Sequence, residues 1–153
     1  MANCTTGRVV SLAVRTAKNG PMAEVSQSRV ARDGGLEGDR AARPDRGITL
    51  LAQEQWHEVM RELGANLPWH TRRANLLMTG LKPAELIGER IRVGAVEIAI
   101  QGETKPCELM EQQQTGLLDA LKPDCRGGVT GRILSDGTIS VGDPITVLVA
   151  VDD

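Results

Sequence analysis

This 153-residue sequence predicts a mainly β fold, a largely antiparallel barrel or sandwich with a few short helices, on three observations. Short runs of alternating apolar residues recur along the chain, separated by turns that carry glycine. Asp136-Gly137 stands between two such runs, and Asp-Gly in that setting is a strong hairpin signal. Strands and helices nowhere follow a regular βαβ alternation, which argues against a doubly wound sheet.

The elements follow in order. Gly7 to Thr16 reads as a strand, with Val9, Val10, Leu12 and Val14 marking its buried side, and Asn19-Gly20-Pro21 as a turn. A second strand is expected from about Ala23 to Ala31. From Arg32 to Arg46 glycine and charge are too dense for a regular element, so a long loop is expected. Ile48 to Leu51 is a short apolar run. It leads into a helix in which Ala52, Trp56, Val59, Met60 and Leu63 recur at helical spacing, ended by Gly64. Arg72 to Met78 reads as a strand entered from a polar segment, and Pro83 to Ile87 as one helical turn closed by Gly88. Arg90 to Val93 and Val96 to Ile100 alternate around Gly94-Ala95, a hairpin. Two short helices, Pro106 to Gln114 and Leu117 to Leu121, precede the final strands at Val129–Leu134, Ile139–Val141 and Ile145–Val149.

One domain of this length can build a core without disulfide or zinc support. That core must come from Val, Ile, Leu, Met and Ala, because the chain has no Phe, no Tyr and only two Trp. The same shortage removes the stacking platforms that single-stranded nucleic acids require. A net charge of -2 offers no overall attraction for phosphate backbones, so nucleic acid is not an expected partner. The first residues, Met1 to Gly7, show no secretion signal, and the apolar run Ile145 to Val151 is too short to span a bilayer. No membrane partner is expected. Cys4, Cys107 and Cys125 match no disulfide framework and no zinc-ligand spacing, which places the protein in a reducing cytoplasm.

Cys107 is the leading candidate for chemistry. In Glu103-Thr104-Lys105-Pro106-Cys107-Glu108, proline favours the first helical turn, with Thr104 or Lys105 as the cap. Cys107 then falls within that turn, where the helix dipole and Lys105 favour the thiolate, the form that ligates metal or attacks sulfur. The competing reading is a small buried residue that happens to begin a helix. Cys125 has Arg126 beside it but no helix start, which favours a structural thiol; Cys4 receives no role. Arg126-Gly127-Gly128 could cradle an anion with its backbone N–H groups, or simply form a bend into a strand. The loop bearing Gly38, Asp39 and Arg40, with the Arg72-Arg73 pair, could build a basic pocket for a phosphate or pterin; each is equally readable as solvated surface. His57 falls on the polar side of its helix, and His70 lacks a carboxylate or cysteine neighbour in sequence. No Ser-His-Asp, HExxH, P-loop or dinucleotide-binding pattern is present.

Taken in order, Gly20-Pro21-Met22, Gly35-Leu36-Glu37-Gly38-Asp39-Arg40, Arg73-Ala74-Asn75-Leu76, Ile87-Gly88 with Val93-Gly94, Pro106-Cys107, Arg126-Gly127-Gly128-Val129 and Gly137 to Asp143 resemble the MOSC family, named after the C-terminal domain of molybdenum-cofactor sulfurase. The resemblance covers roughly residues 7 to 150 and implies a single MOSC-like domain, a closed or partly closed β-barrel. It implies that Cys107 is the family cysteine, which in better understood relatives ligates molybdenum of the pterin cofactor (molybdopterin). Some relatives reduce N-hydroxylated compounds; others serve sulfur delivery, the thiol carrying sulfur as a persulfide. The implied site is Cys107 as catalytic residue and metal ligand, with Gly38, Asp39, Arg40, Arg72, Arg73, Asn75, Lys105, Arg126, Gly127 and Gly128 around the cofactor. The chain shows neither a further N-terminal domain nor the pyridoxal-phosphate domain of the sulfurase. A separate electron donor, or a cysteine desulfurase for the sulfur-carrier alternative, is therefore the expected partner alongside a small-molecule substrate.

Overall fold

The computed structural model describes residues 6–17, 21–39 and 46–148. Strand β1, Thr6–Arg15, is the longest and serves three neighbours. Its first residues pair with β10, Pro144–Leu148, and its last with β2, Met22–Val25. Its other edge pairs with β5, Leu76–Thr79. From β10 the sheet runs through β6 (Arg90–Val93), β7 (Val96–Glu103), β8 (Val129–Ile133) and β4 (Ile48–Ala52) to β5 and back to β1. Seven strands thus close a barrel, because β10 also pairs with β1. A separate two-stranded sheet joins β3, Gln27–Val30, to β9, Gly137–Ser140.

All of these pairings are antiparallel except β4 with β5. Parallel neighbours cannot be joined by a tight turn and need a crossover, usually a helix. Helix α1, Gln53–Leu63, provides it, ending at Gly64 in the left-handed conformation (φ 61°). One βαβ unit therefore sits inside a barrel whose sequence showed no regular alternation. The remaining helices are short: α2 (Pro83–Leu86), α3 (Glu108–Gln113) and α4 (Leu117–Ala120), with 3-10 turns at Trp69–Arg72 and Pro123–Cys125.

Four expectations need correction. The hairpin expected at Asp136-Gly137 does not form, because β8 pairs with β7 and β4 whereas β9 pairs with β3 in the small sheet. The single strand over residues 23–31 is two, β2 and β3, which belong to different sheets. The break falls at Ser26, whose carbonyl accepts a bond from the Val141 N–H at 2.9 Å and swings the chain towards β9. The strand expected from Arg72 begins only at Leu76, because Trp69–Arg72 forms a 3-10 turn capped by Arg73 at φ 64°. Helix α3 starts at Glu108, so Cys107 is itself the cap, and Pro106 lies outside the helix.

The apolar residues divide into two cores. Ile48, Leu50, Leu76, Met78, Ile91, Ile98 and Val129 fill the barrel. Leu51 and Leu77, pointing outward from the same strands, pack with Trp56, Val59, Met60, Met110, Leu117 and Leu121 beneath the helices. Every residue of β4 is therefore buried, and the strand reads as a continuous apolar run rather than an alternating one. Branched aliphatics fill the barrel, as the lack of Phe and Tyr requires.

The turn before β8 is held against β4. Gly128 has φ +95°, and a Cβ there would overlap the Leu50 carbonyl oxygen. Gly128→Ala is expected to lower unfolding free energy by about 2–4 kcal/mol, combining left-handed strain with a displaced backbone. A urea unfolding curve measures this, and a loss below about 0.5 kcal/mol would show that the turn can move away freely.

Candidate functional site around Cys107

Cys107 has extended backbone (φ −128°, ψ 175°), and its carbonyl accepts the Met110 N–H at 2.9 Å, starting α3. Its thiol is free and exposed. The chain reaches it from β7 through Thr104, whose N–H donates to the Gly128 carbonyl at 2.9 Å. The Thr104 carbonyl in turn accepts a bond from Arg72 Nη2 at 2.9 Å. These contacts bring the end of β7, the turn before β8 and the 3-10 turn after α1 to one place.

Arg72 is 6% exposed. Burial pushes its pKa down to about 10; Arg46 adds to that, while Cys107 and Glu103 pull the other way. Arg72 therefore stays positive at neutral pH, and its electrostatic surroundings include Cys107. Its Nε has no hydrogen-bond partner, and neither has the hydroxyl of Thr104, a residue 7% exposed. Buried polar atoms are almost always paired, so these two orphans mark an unsatisfied spot in the segment that leads to Cys107. Gly127 belongs to the same notch. A Cβ there would stand 2.8 Å from the Thr104 carbonyl oxygen and 3.3 Å from both Arg72 Nε and Nη2. The glycine is needed for this close approach.

Cys125, the other free cysteine among the described residues, differs in every respect. It is half-buried against the barrel core. It has φ 55° next to Asp124 at φ 51°, two consecutive L-residues in the left-handed region. Burial, followed by the charges of Glu103 and Asp124, raises its thiol pKa. At pH 8 iodoacetamide is expected to modify Cys107 at least about tenfold faster than Cys125, because Cys107 is exposed and burial raises the Cys125 pKa. Peptide mapping reads the two sites separately; equal rates would mean that the turn at residues 124–128 opens readily.

Arg126 turns the other way. Its guanidinium meets Glu62 of α1 at 3.0 and 2.7 Å and the Ala120 carbonyl at 3.1 Å. The hydrogen bond to Arg126 holds the Glu62 carboxyl below its usual range. Arg126 thus fastens the turn to the helix layer, and its bidentate partner is a carboxylate of this chain.

Asp39 and Asn75 form a separate buried knot. The Asp39 side chain is fully buried and accepts from Arg15 Nε at 3.0 Å, Arg15 Nη2 at 2.8 Å and the Arg15 backbone N–H at 2.8 Å. Asn75, also fully buried, accepts from the Thr49 N–H at 2.9 Å and donates to the Ala13 carbonyl at 3.2 Å and Asp39 Oδ2 at 3.3 Å. Together they join β1, the residue before β5, β4 and the glycine-rich loop. Arg73 stands near this knot: burial lowers its pKa, with Arg15 adding and Asp39 opposing. Gly38 (φ +88°) supplies the loop's turn, with open space around it. Lys105 is exposed two residues before Cys107. Arg40 lies outside the described residues.

The site therefore draws Cys107, Arg72 and Gly127 together, with Gly128 as their support. It also includes Thr104, which the sequence reading considered only as a helix cap. The half-buried partner of Asp39, Arg15, was not singled out either; an arginine closing an apolar strand carries little signal before its carboxylate is located. A cavity of about 310 Å³ along α3 is lined by His70, Thr71, Arg73, Leu109 and Gln113. Another cavity, of about 640 Å³ and rimmed by Glu54, Glu58, Glu85 and Asp124, is lined by no cysteine. Among the described residues no group of three or more His, Cys, Asp or Glu side chains is placed to hold a metal ion. No helix among them is long and apolar enough to cross a membrane.

Comparison with known proteins agrees with this architecture. No curated protein matches the chain. Among solved structures, the YuaD protein of Bacillus subtilis superimposes with a TM-score of 0.78 at 19% identity, covering 96% of this chain and 98% of that one. YiiM of Geobacillus stearothermophilus gives 0.76 at 18% identity, covering 94% of this chain and 75% of its own. YiiM of Escherichia coli gives 0.69 at 19% identity, with coverages of 95% and 72%. At these identities the likeness establishes the shared fold. The MOSC domain model matches residues 37–146, a span that holds Cys107, Arg72, Thr104 and Gly127 and most of the barrel, and the chain belongs to the MOSC domain family.

Proposed function

We propose that this protein holds the molybdenum cofactor through the thiolate of Cys107 and serves two-electron reduction of small N-hydroxylated compounds. The observation that carries the reading is the exposed Cys107 thiol within electrostatic reach of a buried, positively charged Arg72 with an unpartnered Nε. A thiolate suits a soft metal centre, and a charged guanidinium suits an anionic cofactor. The donor set fits as well: with no cluster of protein ligands among the described residues, the exposed thiol of Cys107 would be the chain's own donor and the cofactor would bring the rest.

When bound, the cofactor would supply the electron pair for R–NHOH + 2e⁻ + 2H⁺ → R–NH2 + H2O. The residues of the chain do the holding. Arg72 and the Thr104 hydroxyl would satisfy anionic or carbonyl oxygens, Gly127 would allow their approach, and the cavity along α3 would place the substrate beside His70 and Arg73. Electrons would come from a separate donor protein.

An assay of cofactor-loaded protein with N-hydroxylated bases and a chemical reductant tests the reaction. Turnover that disappears in Cys107→Ala is the expected result. Bound cofactor without turnover would remove the reductase reading and leave Cys107 to the persulfide carrier, which mass analysis after treatment with a cysteine desulfurase would detect as one added sulfur.

A further inference from the structure

A cavity of about 390 Å³ lies between α1, the 3-10 turn at Trp69–Arg72 and strands β1, β2 and β5. None of Cys107, Arg72, Thr104 and Gly127 lines it. Trp56 and Trp69 both do, and they are the whole Phe, Tyr and Trp complement of the chain. Met60, Leu67 and Leu77 extend the apolar part of the lining. Aromatic and aliphatic side chains with a few placed polar groups are the usual walls of a small-molecule site.

These walls are held in shape by their own bonds. Trp56 Nε1 donates to the Leu67 carbonyl at 3.2 Å, and the Leu67 N–H donates to Met60 Sδ at 3.3 Å. Trp69 Nε1 donates to Glu24 Oε1 at 3.4 Å. Strand β1 also departs from regular pairing here. Val9 faces Met78 and Ser11 faces Leu77, so Val10 is the extra residue of a bulge, and Val10 and Ser11 both line the cavity. A bulge re-aims side chains and is frequent beside functional sites. The charge of the lining is one-sided: Glu24 is its carboxylate, and neither Lys nor Arg lines it. The Glu24 side chain is 57% exposed, so a ligand can reach it. His70, whose Nε2 lies 4.0 Å from Glu24 Oε2, competes for that oxygen when protonated.

We propose that this cavity binds a small organic cation, an ammonium carried on a flat apolar body, with the body against Trp56 and Trp69 and the charge on Glu24. A neutral molecule of the same shape gains the apolar contacts but not the charge pair, and an anion is repelled. The tryptophans thus supply affinity, and Glu24 supplies selectivity for positive charge. The cofactor takes no part in this site, so the reading stands or falls without it.

The test titrates the full chain, purified without cofactor, with phenethylammonium and with phenethyl alcohol as its neutral counterpart. Heteronuclear NMR follows the two indole N–H signals, which report the lining directly. The amine is expected to give saturable shifts at both indoles and at Glu24. It is expected to bind at least about fivefold more tightly than the alcohol, the upper part of what one partly exposed charge pair provides. Glu24→Gln, which keeps an acceptor for Trp69 Nε1, is expected to remove that preference and leave affinity for the alcohol unchanged. If Glu24→Gln fails to fold, the comparison of amine with alcohol on the wild-type chain decides. The proposal is overturned if neither indole responds saturably, if the shifts centre instead on Leu109 and Gln113 of the α3 cavity, or if the amine binds no more tightly than the alcohol. Retention of the preference by folded Glu24→Gln overturns it equally.

Discussion

Asn75→Ala is expected to destabilise the protein by about 3 kcal/mol, because it orphans buried partners on two strands and the glycine-rich loop at once. The amide oxygen is the acceptor for the Thr49 N–H of β4, and the amide nitrogen donates to the Ala13 carbonyl of β1 and to Asp39. Alanine would leave a buried N–H and a buried carboxylate oxygen without those bonds, in a place fully closed to solvent. Each unsatisfied group costs about 1–3 kcal/mol, and Arg15, bound to the same carboxylate, would loosen with it. Urea unfolding measures the loss. A change below about 1 kcal/mol accompanied by lost cofactor retention would instead assign Asn75 to the binding site. The expected pattern is the reverse: a less stable barrel that, while folded, retains the Cys107 notch.

That case shows which parts of the molecule were legible in the sequence. The barrel class follows from local signals: the runs at 90–93 and 96–103 form a hairpin where Gly94 takes φ 58°. The Asp136-Gly137 signal misled, because the chain turns there from β8 in the barrel to β9, which pairs with β3 in the other sheet. The parallel pairing of β4 with β5 was not legible, since only three-dimensional register shows that α1 is a crossover rather than decoration. The division of residues 22–30 between two sheets depends on a long-range bond from Val141, and no local pattern reports it.

At the site, the prominence of Cys107 was legible from its neighbours, although the thiol caps α3 instead of standing inside it. Arg72 and Arg73 were read as a pair; the left-handed turn at Arg73 separates them. Arg72 turns inward to Thr104, while Arg73 stands near Arg15 and Asp39. Arg126 looked like a partner for an anion, but its bidentate acceptor, Glu62, is 64 residues away in sequence. Gly127 and Gly128 were readable as an anion cradle or as a bend into a strand. What the fold requires of them is space, for the Arg72 guanidinium in one case and the Leu50 carbonyl in the other. Charged groups are easy to find in a sequence; the charges that neutralise them are not.

The second large effect concerns Cys107 itself. Its side chain is exposed and makes no capping hydrogen bond, so Cys107→Ala should leave unfolding free energy within about 0.5 kcal/mol of wild type. On the proposed reading, loss of the Cys107 thiol should nevertheless reduce cofactor retention by at least about tenfold. The direct measurement is the molybdenum and pterin content of wild-type and Cys107→Ala protein purified from the same cofactor-producing host. About one molybdenum per wild-type chain, with pterin, and background levels in the folded variant are the predicted result. Absence of both from wild type in a cofactor-replete host, or equal retention by the variant, would contradict the account.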